Sequence, residues 1–397
     1  MLKTFKYRIY PNSEQKILIH KHFGCVRWVY NYGLNLKNQT YTQTKKGISR
    51  FDIQKNIPLL KKQEETSWLK EVNSQSLQYS LENLDNGFTK FFKKLGGYPK
   101  FKSKKNPKKS FGIPQNTVVE FENNLLYIPK FKKGIKIIID RKFEGEIRSS
   151  TISMKTNGKY YISILVEINQ ELPRKKPIDE KQAIGIDLGI KSFLVTSDGL
   201  VIDNSKHLKK SLRRLKIRQR KHSKKVNGSN NRKKSVHILS SIHEKISNRR
   251  TDFLHKTSKF LIDDYDTLCL ETLNVSGMIK NHNLAQSISD VSWSEFNRML
   301  DYKSEWYGKN IIRIGQFEPS SKMCSVCGYI KSDLKLSDRE WICPKCGTKH
   351  DRDVNASNNI KNFSFVKNNT SGTEEIHASG VMNSVTSSAQ ETTKSLV

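Results

Sequence analysis

Ala183-Ile184-Gly185-Ile186-Asp187-Leu188-Gly189-Ile190 reads as an apolar strand that carries one carboxylate near its end and runs into a glycine turn. An acid in such a strand is costly unless it is paired, hydrogen-bonded or bound to a metal. The pattern returns at Thr267-Leu268-Cys269-Leu270, a second short strand that ends on Glu271. Residues 193–196 and 200–202 should pair with the first strand as an antiparallel meander. A helix near 291–308 leads to a further strand at 311–314. Taken singly, each acid is more ordinarily a strand-end surface residue. On one sheet, however, the two strand ends can bring Asp187 and Glu271 to a single site. Metal-dependent phosphodiester cleavage needs hard oxygen ligands around two ions about 3.5–4 Å apart. A third ligand must then come from elsewhere. Asp351-Arg352-Asp353-Val354-Asn355-Ala356, at the start of a short helix, offers both Asp351 and Asp353. Physics at the level of sequence does not separate them.

Between Glu271 and that helix lie Cys324-Ser325-Val326-Cys327 and Cys343-Pro344-Lys345-Cys346, two knuckles separated by fifteen residues. This is the spacing of a four-cysteine zinc ribbon. Four thiolates on two tight turns close a tetrahedral shell, so the metal is expected to be structural, a single zinc. Gly328 and Gly347 follow the knuckles and supply the backbone freedom such turns need. His350 is surplus to a complete shell. Cys25 and Cys269 stand alone in apolar segments and read as small core residues.

Lysine and arginine number 71 against 38 acids, a formal net charge of +33, which fits a polyanionic partner. An anionic membrane is the competing partner, but no run of about 18 apolar residues is present to cross one. The opening MLKTFKYRIY lacks the apolar stretch of a signal peptide. The expectation is a soluble cytoplasmic protein, associated with the nucleoid when bound to DNA. The basic charge is densest over 206–256, where Arg213, Arg214, Arg218 and Lys221 crowd one helix and Glu244 is nearly alone among them. A solvated helix face would normally mix in more acids, so the segment is read as a nucleic-acid contact. Arg27, Lys100 and Lys102 are further candidates, with Trp28 and Phe101 nearby for stacking.

Upstream, residues 5–10 alternate apolar and basic as a half-buried strand does. Asn12 and Gln15 then stand at capping-box spacing before a helix. Further helical stripes run over 51–95. Strand patterns follow at 125–128, 135–139, 151–154 and, after the turn Asn157-Gly158, 160–168. The expected arrangement is a small β-barrel closed by the first strand, with the helices of 12–95 inserted. Residues 173–177 are a linker. The Ser-, Thr- and Asn-rich tail from 363 to 397 is expected to be disordered.

Gly185-Ile186-Asp187-Leu188-Gly189, Glu271-Thr272-Leu273-Asn274-Val275, the cysteine ribbon and Arg352-Asp353-Val354-Asn355-Ala356 resemble, in that order, the split RuvC domain of TnpB proteins. These proteins are encoded by bacterial and archaeal insertion sequences and are similar to the ancestors of type V CRISPR effectors. The resemblance extends to Pro319-Ser320-Ser321-Lys322, Arg8-Ile9-Tyr10-Pro11, the helix of residues 24–31 and Pro99-Lys100-Phe101-Lys102-Ser103, and so covers about 1–362. It implies a multidomain α+β, α/β chain. A wedge β-barrel at 1–175 would carry a helical recognition lobe at about 12–95. An RNase H-like RuvC domain would follow at 179–316, with basic helices at 206–262, and resume at 351–362 after the ribbon at 317–350. The resemblance implies a triad of Asp187, Glu271 and Asp353 holding two magnesium ions, in preference to Asp351. It further implies one chain per guide RNA, cutting double-stranded DNA beside a short motif. Ser357 departs from the family pattern, where a second alanine often follows Asn-Ala. The alternatives are a transposase that transfers strands itself and a guided DNA-binding repressor that does not cut.

Overall fold

A computed structural model of the chain describes residues 1–106, 109–335 and 337–370. Internal contacts divide it into two units, Met1–Arg174 with Lys206–Lys256, and Lys175–Ser205 with Thr257–Val397.

The first unit begins with β1 (Leu2–Tyr10), followed by helices α1 (Ser13–Thr44), α2 (Arg50–Lys62) and α3 (Ser74–Phe92), with a 3₁₀ segment at Glu64–Glu71. The capping box forms as read: the Gln15 amide donates to Asn12 Oδ1 at 2.8 Å and the Asn12 amide to Gln15 Oε1 at 3.0 Å. Strands β2 (Lys109–Ile113), β3 (Val118–Glu120), β4 (Leu125–Tyr127), β5 (Ile135–Ile138), β6 (Glu146–Met154) and β7 (Tyr160–Glu167) complete a sheet ordered β2-β6-β7-β1-β5-β4-β3. Closure into a barrel by the first strand is corrected here: among the described residues the sheet is open, with β2 and β3 at its edges. β1 does bridge the two halves, pairing with β7 from Leu2 to Ile9 and with β5 from Arg8 to Tyr10, but among the described residues β2 pairs only with β6 and β3 only with β4, so the two ends do not meet. A cylinder would need β2 and β3 to pair with each other.

The basic segment folds as α4 (His207–Ser223) and α5 (Asn230–Asp264), held together by Leu215, Ile242 and Ile246. The sequence division attached these helices to the nuclease part, whereas Lys206–Lys256 groups with the first unit. Glu244 supplies a physical cause. Its buried carboxylate accepts from Lys159 Nζ at 2.6 Å, Asn157 Nδ2 at 2.7 Å and the Tyr161 hydroxyl at 2.8 Å, and it pairs with Lys155 Nζ at 3.0 Å. All four donors sit on or beside the turn between β6 and β7.

The second unit is built on strands β8 (Ala183–Leu188), β9 (Ser192–Thr196), β10 (Val201–Asp203), β11 (Thr267–Glu271) and β12 (Asn310–Ile314), in the order β10-β9-β8-β11-β12. β8, β11 and β12 run parallel, and β9 and β10 return antiparallel as the expected meander. Helices α6 (Val275–Met278), α7 (Ala285–Val291) and α8 (Trp293–Tyr307) connect β11 to β12. A two-stranded hairpin of β13 (Glu340–Ile342) and β14 (Lys349–Asp351) precedes α9 (Arg352–Thr370).

The disordered tail expected from 363 is corrected over 363–370, which continue α9. Phe363 and Phe365 pack beside Ile360 against Ala183, Cys269 and Ile314. Full burial of a side chain of this size stabilises by about 1.5–3 kcal/mol; Ile360 is fully buried, and the half-buried Phe363 and Phe365 add a part of that each. The remainder of the tail expectation, 371–397, lies outside the described residues.

Candidate active site and metal centre

β8 and β11 are neighbours in register, with Cys269 beside Gly185 and Leu270 beside Ile186. The next position on each strand is Glu271 and Asp187, so both acids end adjacent strands at the same level. Side chains two apart on a strand share a face. Asp187 therefore faces the same way as Gly185, and Glu271 the same way as Cys269.

That face is covered by α9. A Cβ added to Gly185 would lie 1.9 Å from the Ser357 carbonyl oxygen and 2.9 Å from the Lys361 amide, so glycine is what lets the helix backbone reach the strand. From Gly185 to Asp187 the strand advances about 6.6 Å, and from Ser357 back to Asp353 the helix recedes about 6 Å. The two steps match, and Asp353 in the first turn of α9 comes up over the strand ends. Asp351 takes a different role. Its Oδ1 accepts the amides of Asp353 and Val354, both at 3.0 Å, which makes it the cap of the helix. Of the two acids that sequence left open, Asp351 is thus engaged as the helix cap, and Asp353 lies in the first turn.

The electrostatics show what the cluster lacks. Burial first, then the charges of Glu271 and Asp353, push the Asp187 carboxyl up to about 8, against the opposing pull of Arg352 and Arg339. No donor among the described residues reaches the Asp187 carboxylate. Glu271 is held by the Ser320 hydroxyl, whose carbonyl in turn accepts from Asn359 Nδ2 at 2.8 Å. Asp353 is held by Arg339, whose Nη1 lies 3.3 Å from each carboxylate oxygen. The three carboxylates share one face and one field, but their oxygens are not gathered within 4.8 Å of one another as the cysteine sulfurs are.

The four thiols do converge. Cys324 and Cys346 Sγ are 3.7 Å apart, and Cys327 and Cys343 Sγ 3.5 Å. Tetrahedral zinc–thiolate bonds of about 2.3 Å place sulfurs about 3.8 Å apart, so the donor set fits such a metal. The two knuckles have matching backbones: Gly328 donates to the Cys324 carbonyl at 2.9 Å and Gly347 to the Cys343 carbonyl at 2.8 Å, with φ of +74° and +72°. His350 Nε2 stands 3.0 Å from Cys324 Sγ, in reach of the sulfur as a hydrogen-bond partner.

Sequence reasoning missed the residues that seat this ribbon on α9. Asn355 accepts the Ser325 amide at 2.9 Å and donates to the Met323 carbonyl at 2.7 Å, and Asn359, one turn on, donates to the same carbonyl at 2.6 Å. Two asparagines four apart in an otherwise polar helix were the available signal.

The candidate nucleic-acid contacts fall into two groups, both in the first unit. Arg213, Arg214, Arg218 and Lys221 are exposed on α4 and line one groove together. Arg218 and Lys221 also border a second groove with Lys224, Lys225 and Lys234. Arg27 and Lys102 line a small cavity of about 230 Å³ with Lys104 and Lys109, and Lys100 is exposed nearby in sequence. Lys102 is also structural: Asn31 brackets its backbone amide and carbonyl at 2.8 and 3.0 Å, and its ammonium lies 3.7 Å from the Tyr30 ring centre.

Three family profiles match the chain: "Probable transposase" (OrfB_IS605) over 163–282, "Cas12f1-like, TNB domain" over 293–360, and "Helix-turn-helix domain" over 1–46. The last of these stretches folds here as β1 and the single long helix α1. Among solved structures, a cryo-electron-microscopy complex of Cas12f1 with sgRNA and target DNA aligns with a TM-score of 0.56, covering 91% of this chain and 98% of that one. At 15% identity this likeness shows a shared fold. A relative from Escherichia coli, named "Putative RNA-guided DNA endonuclease InsQ", is 29% identical over 90% of this chain and 91% of its own length. A "Putative RNA-guided DNA endonuclease" of Streptomyces pristinaespiralis is 38% identical over 90% of this chain and 88% of its own. Identity sustained over that span, with the "Probable transposase" profile lying over the two strand-end acids and the Cas12f1-like profile over the ribbon, means that the chain belongs to the TnpB family.

Proposed function

We propose that this chain is an RNA-guided DNA endonuclease that hydrolyses both strands of guide-matched DNA at one site formed by Asp187, Glu271 and Asp353. The observation that carries the reading is the position of Asp187 and Glu271 at the same level on adjacent parallel strands, beneath the first turn of α9. Three carboxylates on one face, one of them without a donor, form a site that a divalent cation would complete. Magnesium bound there would activate water and stabilise the leaving oxygen. Asp187 supplies the oxygens that no donor among the described residues engages, and the Ser320 hydroxyl holds the Glu271 carboxylate. Asp353 approaches from the helix, so the ligands come from three separate elements, as clamping a phosphate between two ions requires. The four thiolates would hold one structural zinc, which keeps the ribbon folded against Asn355 and Asn359. The names of the relatives support a guide RNA and a DNA target as partners, and the basic grooves of α4 and α5 offer both a backbone contact. A short protein-read motif beside the target, one chain per guide, and action at the nucleoid complete the reading.

The test is to purify the chain from cells carrying its native locus, sequence the bound RNA, and assay plasmid cleavage with and without magnesium. Controls are Asp187→Ala, Glu271→Ala and Asp353→Ala. Guide-directed cutting lost in all three variants is the expected result. RNA binding without cutting would favour the repressor, and DNA joining without RNA would favour the transposase.

A further inference from the structure

Arg339 precedes β13 in the ribbon, and its main chain is tied to the start of α9, because its carbonyl accepts the Arg352 amide at 2.8 Å. Its side chain reaches back across that junction to Asp353, with Nη1 3.3 Å from both carboxylate oxygens. The pair sits at a solvent edge, the arginine 46% and the aspartate 27% exposed, so the guanidinium has room to swing away. A hard cation would use the same carboxylate lone pairs that the guanidinium now occupies. It would also meet a positive charge at hydrogen-bonding distance from its ligand.

We propose that Arg339 is a counter-ion lock on Asp353: it occupies the carboxylate in the metal-free chain and must leave before a divalent ion can be held there. The ribbon thereby takes part in admitting the catalytic metal as well as shaping the fold. This rests on the reading of Asp353 as a metal ligand, and the experiment separates the two.

Manganese binding is measured by electron paramagnetic resonance and calorimetry on the full-length, zinc-loaded chain without DNA. The samples are wild type, Arg339→Gln, Arg339→Lys, Asp353→Asn and the double variant Arg339→Gln/Asp353→Asn. Zinc content and melting temperature report that each ribbon is folded. An exposed ion pair is worth little, so Arg339→Gln should tighten manganese binding by about two- to fivefold. Arg339→Lys keeps the charge but loses the planar fork, and should bind more tightly than wild type but less tightly than the Gln variant. In the Asp353→Asn background, Arg339→Gln should produce no further tightening. Equal tightening in both backgrounds would mean a general charge effect and would overturn the lock. Unchanged or weaker binding in Arg339→Gln would overturn it as well. Normal manganese binding by Asp353→Asn would instead remove Asp353 from the metal site, and the lock with it.

Discussion

Glu244 is buried and Asp187 half-buried, one acid in each unit, and the chain treats them in opposite ways. Burial alone would raise the pKa of either. At Glu244, donors from Lys159, Tyr161, Lys155 and Asn157 outweigh burial and bring the carboxyl down to about 2. At Asp187, the nearest charges include two more acids, and the carboxyl rises to about 8. A buried charge with a full set of donors is part of the framework. One left among like charges is costly, and that cost makes sense where a cation is to be bound. Metal binding at such a site is also linked to proton release below the raised pKa.

The comparison can be broken most sharply at Asp187. Replacing it with Asn should lower cleavage by about 10³-fold or more, since metal-assisted charge stabilisation is worth several kcal/mol. In the metal-free protein near neutral pH the same change should raise the melting temperature, because it removes a carboxyl that must take up a proton on folding, its pKa rising from 3.8 to about 8. A fall in melting temperature would show that Asp187 is framework after all. Gly185→Ala tests the seat of α9 without touching an acid. Its Cβ would meet the Ser357 carbonyl at 1.9 Å, so the helix must shift, at a cost of about 1–3 kcal/mol or more. Calorimetry should record that loss, and cleavage should fall with it because Asp353 rides on the helix.

Glu244→Ala should cost about 2–3 kcal/mol, by urea denaturation, by stranding the donors gathered around it. Cleavage per folded molecule should survive if the carboxylate serves only the framework. The smallest effect concerns pH. The folded-state pKa of Glu244 lies below its ordinary 4.5, so its stabilisation is complete above that value and is lost as pH falls from about 4.5 toward about 2. The stability gap between wild type and Glu244→Gln should therefore close across that interval, and a gap that persisted at pH 2 would contradict the assignment.

Strand-end acids and cysteine knuckles were legible in the sequence because each rests on a local pattern, an acid closing an apolar run or a fixed spacing. Glu244 was noticed only as an oddity among basic residues. Its donors come from a turn some 85 residues away, which no periodicity reveals. Which of Asp351 and Asp353 caps the helix was not legible, because it depends on which residue begins α9, a matter of one position. The length of α9 was underestimated because Asn355, Asn358, Asn359 and Asn362 are poor helix formers. Two of them are bound to ribbon carbonyls, and tertiary contacts override their propensity. The barrel failed for a topological reason, since alternation along a strand shows which side chains are buried but not whether the two outermost strands, β2 and β3, find each other.

β14 ends on Asp351 and α9 begins on Arg352, with no residue between them. For anyone grafting a different ribbon onto this scaffold, that junction is a splice site without slack. Because α9 is seated on β8 at Gly185 and Ser357, one added residue would turn the ribbon by about 100° relative to the helix and take Arg339 away from Asp353. A foreign ribbon must therefore end in a residue that can cap a helix, and at the same phase, to dock on Asn355 and Asn359 as this one does.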